Sequence, residues 1–273
     1  MPRQTVKAVI LARGLGTRMR RVDETAELAG DQARVAETGV KAMIPVGRPF
    51  LDYALSAVAD AGITDVVLVI GPEHAVVRDY YTQTCVPTRL QVTFAIQEHP
   101  RGTADAVVAA ADAVQQNEFL VLNSDNYYPP DALRALAGLD GPGLVAFGRE
   151  SMLRESNVAA DRLQQFAVVR VDPGDVLSDI IEKPDAQTLE ALGDDVYVSM
   201  NCWRFDARVL DACRRVSPSP RGELEIPDAV RLAVQKMGTV FRVVRMNAGV
   251  LDLSNRADIA VVADALATTR VWL

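Results

Sequence analysis

The strongest constraint on this chain is a set of short aliphatic runs that do not alternate with polar residues. "AVILA" (8–12), "DVVLVIG" (65–71), "QVTFAI" (91–96) and "FLVLN" (119–123) have strand length and are rich in Val, Ile and Leu. A strand with one wet face alternates, whereas a strand covered on both faces reads as a continuous apolar run. Between the runs lie helical patterns: Phe50 to Ala61, roughly His74 to Thr82, and Thr103 to Val114. Strand–helix–strand order predicts right-handed crossovers and a mostly parallel sheet. Hydrophobic residues make up 49% of the 273 residues and aromatics only 5%, so the core is aliphatic and large enough for one α/β domain or two small ones.

The texture changes after about residue 143. Shorter strand-like pieces follow: "GLVAFGR" (143–149), "FAVVRVD" (166–172), "VLSDIIEK" (176–183), "VYVSMNCWRF" (196–205) and "TVFRVVRM" (239–246). Helical patterns run from Asp206 to Val216, through "EIPDAVRLAVQK" with Pro227 near its start, and through "NRADIAVVADALATTR". No Ser/Gly/Pro-rich linker separates the halves. The expectation is one domain over 1–273, with halves 1–142 and 143–273, the second continuing the sheet of the first.

The first strand runs into "LARGLGTRMRR" (11–21), four arginines and two glycines in a chain of net charge −7. An acidic chain does not offer the basic face that nonspecific nucleic-acid binding needs, so this positive charge is local and suits a small anion. No apolar stretch of about 18 residues is present, which argues against a membrane helix, and the N-terminus lacks the pattern of a signal peptide. Three scattered cysteines and two histidines make a zinc site a poor reading and a cytoplasmic location the expected one.

Ligands of parallel sheets sit at the C-terminal ends of the strands. Gly14 and Gly16 there let the backbone fold tightly and point N–H groups inward; Thr17 adds a hydroxyl, and Arg18 a planar fork suited to phosphate oxygens. The glycine spacing alone is weak, being neither GxGxxG nor a P-loop, and an ordinary turn with solvated arginines competes with it.

The surrounding letters carry more. "LARGLGTRMR" resembles the LAxGxGTR signature of the sugar-phosphate nucleotidylyltransferases. The resemblance continues in order through "KAMIPVGRPFLDYALSAVADAGITDVVLVIG" (41–71), "QEHPRGTADAV" (97–107), "FLVLNSDNYY" (119–128), "IIEKP" (180–184), "RGELEIPDAV" (221–230) and "VLDLSNRADIAVV" (250–262). It implies a Rossmann-like, mostly parallel mixed sheet flanked by helices, with a smaller sugar-side lobe. It also implies transfer of a nucleotidyl group from a nucleoside triphosphate to a sugar 1-phosphate, with release of pyrophosphate.

By that resemblance, Leu11, Ala12, Gly14, Gly16, Thr17 and Arg18 hold the nucleotide, and Arg18 grips the leaving pyrophosphate. Lys41 reaches the phosphates as a point charge; its competing reading is a surface lysine. Asp125, just past a strand, and Asp252 are the expected Mg²⁺ ligands, against readings as a turn residue and a helix cap. Gln97, Gly102 and Thr103 match the base-reading segment, leaning towards UTP or dTTP, although Thr103 is also a good helix N-cap. Asn126, Glu182, Lys183 and Asn201 are the expected acceptor-side residues, with Lys183 on the sugar phosphate. The resemblance leaves a homo-oligomer open.

The chain departs from the family pattern at several points. Arg13 stands where the family has a small residue. The link between Arg18 and Lys41, "MRRVDETAELAGDQARVAETGV", is unusually long and partly helical in pattern. Ser254 replaces a glycine, Val250 and Leu251 replace a tryptophan-bearing pair, and "NCW" replaces NxG. These changes cluster on the sugar side and imply an acceptor other than the common glucose 1-phosphate. Two alternatives stand beside the main reading, the first supported by these changes and the second opposed by the intact carboxylates and loop arginine. One is a CTP-type enzyme acting on an alditol phosphate or phosphocholine; the other is a catalytically inactive nucleotide-sugar-binding subunit.

Overall fold

The structure, a computed structural model, describes residues 5–23, 26, 28–182, 184–185, 187–189 and 196–273. Its strands in chain order are β1 (Lys7–Leu11), β2 (Asp65–Ile70), β3 (Gln91–Ile96), β4 (Phe119–Asn123), β5 (Asn126–Tyr127), β6 (Gly143–Gly148), β7 (Ala167–Asp172), β8 (Val176–Ile181), β9 (Tyr197–Phe205), β10 (Arg242–Met246) and β11 (Leu251–Asp252). Nine of these form one sheet in the order β3-β2-β1-β4-β9-β6-β10-β8-β7, with β7 also pairing β9; β5 and β11 form a separate antiparallel ribbon.

The predicted α/β class holds, and the second half continues the sheet of the first. The parallel part is concentrated in β3-β2-β1-β4. Beyond it β9 runs antiparallel to β4, β6 and β7, and only β6 and β10 pair in parallel. The aliphatic runs explain this division. Val67 and Val69 of β2 face one core layer while Val66, Leu68 and Ile70 face the other, so this strand has no wet side.

Helices cover both faces. The helix Phe50–Asp60 is buried over all but its last residue, on the face it shares with Pro130–Ala137. On the opposite face, Ala104 and Val107 of the helix Thr103–Ala109 meet Val209, Leu210 and Cys213 of Ala207–Arg215 and Ala229 and Val230 of Ile226–Met237. Among the described residues, no helix is long and apolar enough to cross a membrane.

Several element boundaries differ from the sequence reading. The helix expected over 103–114 breaks at Ala110 into Thr103–Ala109 and Ala111–Val114. The helix expected to run on to Arg270 stops at Leu266. Short helices at Arg149–Glu155 and Ala160–Leu163, and the two-residue strands β5 and β11, carry too little periodicity to be read in advance. The long link after Arg18 contains the helix Gly30–Thr38.

The topology places a crevice. From β1 the chain moves outward to β2 and β3, then returns to set β4 on the other side of β1. The C-terminal ends of β1 and β4 therefore diverge at a switch point, where open α/β sheets bind ligands.

Candidate active site

A cavity of about 730 Å³ opens at this switch point. The loop after β1 forms one wall. Ala12 donates its backbone N–H to Val69 O at 2.8 Å, which fixes the loop to the end of β2. Gly16 lies at φ +59°, and a Cβ there would sit 2.2 Å from the carbonyl oxygen of Gly39, itself at φ +76°. Glycine at 16 is thus demanded by backbone packing as well as by its conformation. At Gly14, by contrast, nothing lies within 4 Å of an added Cβ, so this glycine leaves the backbone open for a ligand to approach.

The four loop arginines have separate fates. Arg18 lines the cavity with Leu11, Ala12, Gly14, Gly16 and Thr17. Arg20 turns away and donates through Nη2 to Thr38 O at 2.7 Å, Arg21 is exposed, and Arg13 folds inward.

Acidic groups face this wall. Asp125 sits in the turn between β4 and β5, and Lys41 Nζ lies 2.5 Å from its Oδ2. Asp252, at the end of β11, is the cross-strand partner of Asn126, and Leu253 N–H donates to Asp125 O at 2.8 Å. Two residues more than a hundred positions apart in sequence are thereby fixed side by side. Neither is a helix cap: Pro129 precedes the helix Pro130–Ala137, and Asn255 Oδ1 accepts from Asp258 N–H at the last helix.

Asp252 is buried and heavily held. Its Oδ1 accepts from Asn126 Nδ2 at 3.0 Å; its Oδ2 accepts from Ser254 Oγ and Arg162 Nη2, both at 2.6 Å. Burial, and then the charge of Asp125, push its carboxyl up to about 6, against the pull of Ser254, Arg162 and Lys41. Burial alone would lower the Lys41 ammonium, but Asp125 and Asp252 outweigh it and hold the group above its ordinary value. Among the described residues no three His, Cys, Asp or Glu side chains group around a metal position. Two carboxylates facing one cavity could nevertheless hold a magnesium ion whose remaining oxygens come from phosphates and water.

The segment 97–103 is anchored to the opposite half of the chain. Gln97 Nε2 donates to Gly102 O at 3.1 Å and to Asp105 Oδ2 at 2.8 Å. Gly102, at φ +122°, would bring a Cβ within 2.4 Å of Leu224 O; Leu224 N–H donates to Arg101 O, and Ala104 N–H to Leu224 O. Glycine here admits the backbone of Leu224 and also borders the cavity. Thr103 opens its helix without capping it, and its hydroxyl accepts from Ile226 N–H at 3.0 Å.

On the far side stand Glu182 and Asn201. Glu182 lines the cavity but is exposed; loss of hydration around its carboxyl, aided by the charge of Glu225, raises its pKa, while Arg221 opposes the rise. Asn201 lies at φ +55°, where the β6–β9 register slips between Leu144 and Ala146. Such bulges re-aim strand residues beside functional sites, and asparagine tolerates this conformation better than most residues. The Asn201 amide oxygen is occupied by Trp203 Nε1 at 3.1 Å. Asn126 also lines the cavity, but its amide is bonded within the protein, to Asn123 and Asp252, so it orients the acid. Lys183 lies outside the described residues.

The structure therefore brings every described residue of the expected set to one cavity. It adds Arg162, Gln165, Phe166 and Arg221, which sequence reasoning missed, and brings in Arg13, noted there only as a departure, and Glu223, set aside there as a residue shaping the lobe or a subunit interface. Arg221 falls inside the "RGELEI" match and could have been found there; Arg162 lies in a stretch with no motif.

A family model described as "Nucleotidyl transferase" matches residues 7–268. The chain belongs to the nucleotidyl transferase family. Similar members of this family include a "UTP--glucose-1-phosphate uridylyltransferase AglF" of Haloferax volcanii, 24% identical, covering 93% of each chain. A "Low-salt glycan biosynthesis nucleotidyltransferase Agl11" of the same organism is 28% identical over 83% of this chain and 56% of its own length. A "Glucose-1-phosphate thymidylyltransferase" of Streptomyces antibioticus is likewise 28% identical over 83% and 56%. The chain thus spans about half the length of several of the curated relatives it matches. In fold it is similar to a solved UDP-glucose pyrophosphorylase in complex with UDP-glucose, with a TM-score of 0.75 at 17% identity, covering 97% of this chain and all of that one.

Proposed function

We propose that this member of the nucleotidyl transferase family moves a nucleotidyl group from a nucleoside triphosphate to a sugar 1-phosphate. The observation that carries the reading is the convergence of Arg18, Lys41, Asp125 and Asp252 on one cavity at the switch point. An oxygen of the acceptor phosphate attacks the α-phosphorus, the bond from that phosphorus to the bridging oxygen of the β-phosphate breaks, and pyrophosphate leaves with the electron pair. All partners are anions, so the protein has to align them and balance charge.

The backbone of residues 12–17 receives the triphosphate and Arg18 holds the departing pyrophosphate. Lys41 neutralises phosphate charge while keeping Asp125 in place. Asp125 and Asp252 would hold a magnesium ion, which when bound supplies charge neutralisation to the reacting phosphates. Gln97 faces the base, and Glu182 and Asn201 the acceptor, with Lys183 proposed for its phosphate. The two halves, 1–142 and 143–273, would act as one domain around this cleft.

The names of the relatives, which concern glucose 1-phosphate or glycans, favour a sugar acceptor over phosphocholine or an alditol phosphate. The intact set of cavity charges favours an active enzyme over a regulatory subunit. Uridine or thymidine triphosphate, a homo-oligomer and a cytoplasmic location remain part of the proposal. The test is pyrophosphate release from five nucleoside triphosphates against a panel of sugar 1-phosphates with Mg²⁺. Release with at least one sugar 1-phosphate is expected; release with none, alongside turnover of phosphocholine or an alditol phosphate, would overturn the reading.

A further inference from the structure

Of the two loop arginines that line the cavity, Arg13 is the one that the proposed function leaves without a role. Its side chain is 6% exposed, yet it borders the same cavity as Gln97, Pro100 and Gly102. Nη2 donates to Glu98 O at 3.1 Å and lies 3.4 Å from both carboxylate oxygens of Glu73. Nε and Nη1 are buried without any hydrogen-bond partner among the described residues. Guanidinium donors left unmet are costly; Arg204 and Arg256 also bury one each, but of the three only Arg13 borders the cavity, where a ligand can supply the acceptor.

The chemistry of that acceptor follows from Gln97. Asp105 is held by Arg101 Nη2 at 2.6 Å and, like Gly102 O, can only accept; both therefore require the NH₂ end of the Gln97 amide. Both amide hydrogens are thus committed within the protein, and only the Gln97 carbonyl oxygen is left for a ligand. Gln97 and Arg13 both line this cavity.

We infer that Arg13 is a base-selecting residue, pairing with a nucleobase carbonyl while Gln97 Oε1 accepts from the adjacent ring N–H. The inference rests on the proposed function and deepens it. It requires the guanidinium to turn towards the cavity as the base enters, releasing Glu73 and exchanging unmet donors for met ones. A ring carrying a carbonyl next to an N–H, as in uracil, thymine and guanine, satisfies both groups. Adenine has no carbonyl, and cytosine has no ring N–H beside its own.

Calorimetric titration of UTP, GTP, CTP and ATP with Mg²⁺, without acceptor, tests this on the wild type, Arg13→Ala and Arg13→Lys. The wild type is expected to prefer UTP or GTP over CTP and ATP, and Arg13→Ala to reduce that preference about tenfold or more, the scale of hydrogen bonds to a charged group. Arg13→Lys keeps the charge but not the fork, should give an intermediate value, and serves if the alanine variant does not fold. Equal preference in wild type and variants, or none in the wild type, would overturn the role of Arg13 while leaving nucleotidyl transfer standing. No nucleotide binding by the wild type would overturn the proposed function itself.

Discussion

The two walls of the cleft are built by different physics. On the nucleotide wall, backbone geometry decides position: a loop tied to β2 at Ala12, glycines at φ +59° and +122° pressed against other backbone, and an amide whose orientation is forced. On the acceptor wall, charged side chains decide it: Arg162 between Asp252 and Asp258 at 2.6 and 2.5 Å, and Arg221 on Glu225 at 2.6 Å. Backbone geometry is indifferent to most side-chain changes, whereas networks of ion pairs reorganise when one member changes. Under the proposed function, the first wall would receive the nucleotide and the second the acceptor.

The change that should break this division most completely is Asp125→Asn. Asp125 sits where the walls meet, and its loss is expected to lower kcat about 10³-fold, a few kcal/mol of charge stabilisation, with the melting temperature little changed. Steady-state pyrophosphate release and a thermal melt read both quantities. Arg18→Ala should cost about 10²-fold in kcat/KM for the triphosphate while leaving acceptor KM within about twofold. Glu182→Gln should do the reverse on a smaller scale, raising acceptor KM by about tenfold, one lost charged hydrogen bond, at unchanged triphosphate KM. A matched rise in both KM values for either variant would show that the walls are not independent.

Gly102→Ala probes stability, since its Cβ would meet Leu224 O at 2.4 Å in a backbone region that alanine avoids. A loss of about 1–3 kcal/mol is expected in urea unfolding. The smallest effect concerns pH. The folded Asp252 carboxyl, near 6, lies above its ordinary 3.8, so the native state holds that proton more tightly than the unfolded chain does. The resulting stabilisation is full below about pH 4 and is lost as pH rises through about 6. Metal-free melts of wild type and Asp252→Asn across pH 4–7 should therefore diverge, with the variant gaining relative stability as pH rises; parallel curves would refute the shift.

Much of the nucleotide wall was legible in the sequence because strand ends and glycines leave local marks. The runs at 91–96 and 119–123 are strands at those bounds, and "GLGTR" reads as a tight turn after a strand, although the short helix Thr17–Arg20 that follows it was not expected. What could not be read was long-range. Nothing near Gly102 announces that its missing side chain serves Leu224, and nothing near residue 162 announces a fork on Asp252. Asn126 matched a motif, and only the ribbon of β5 and β11 reveals that its amide faces an acid. Arg13 was visible as a departure, but its unmet donors are a property of packing.

The contact of Gly16 with Gly39 has one more consequence. The chain leaves the cradle at one of these glycines and re-enters beside the other. Thr17 and Arg18, just past the first glycine, line the cavity, while Met19 and Ala36 are buried together in one apolar cluster. An insertion beside either glycine would therefore be felt at the phosphate turn, and the residues flanking this close approach tolerate no change of length.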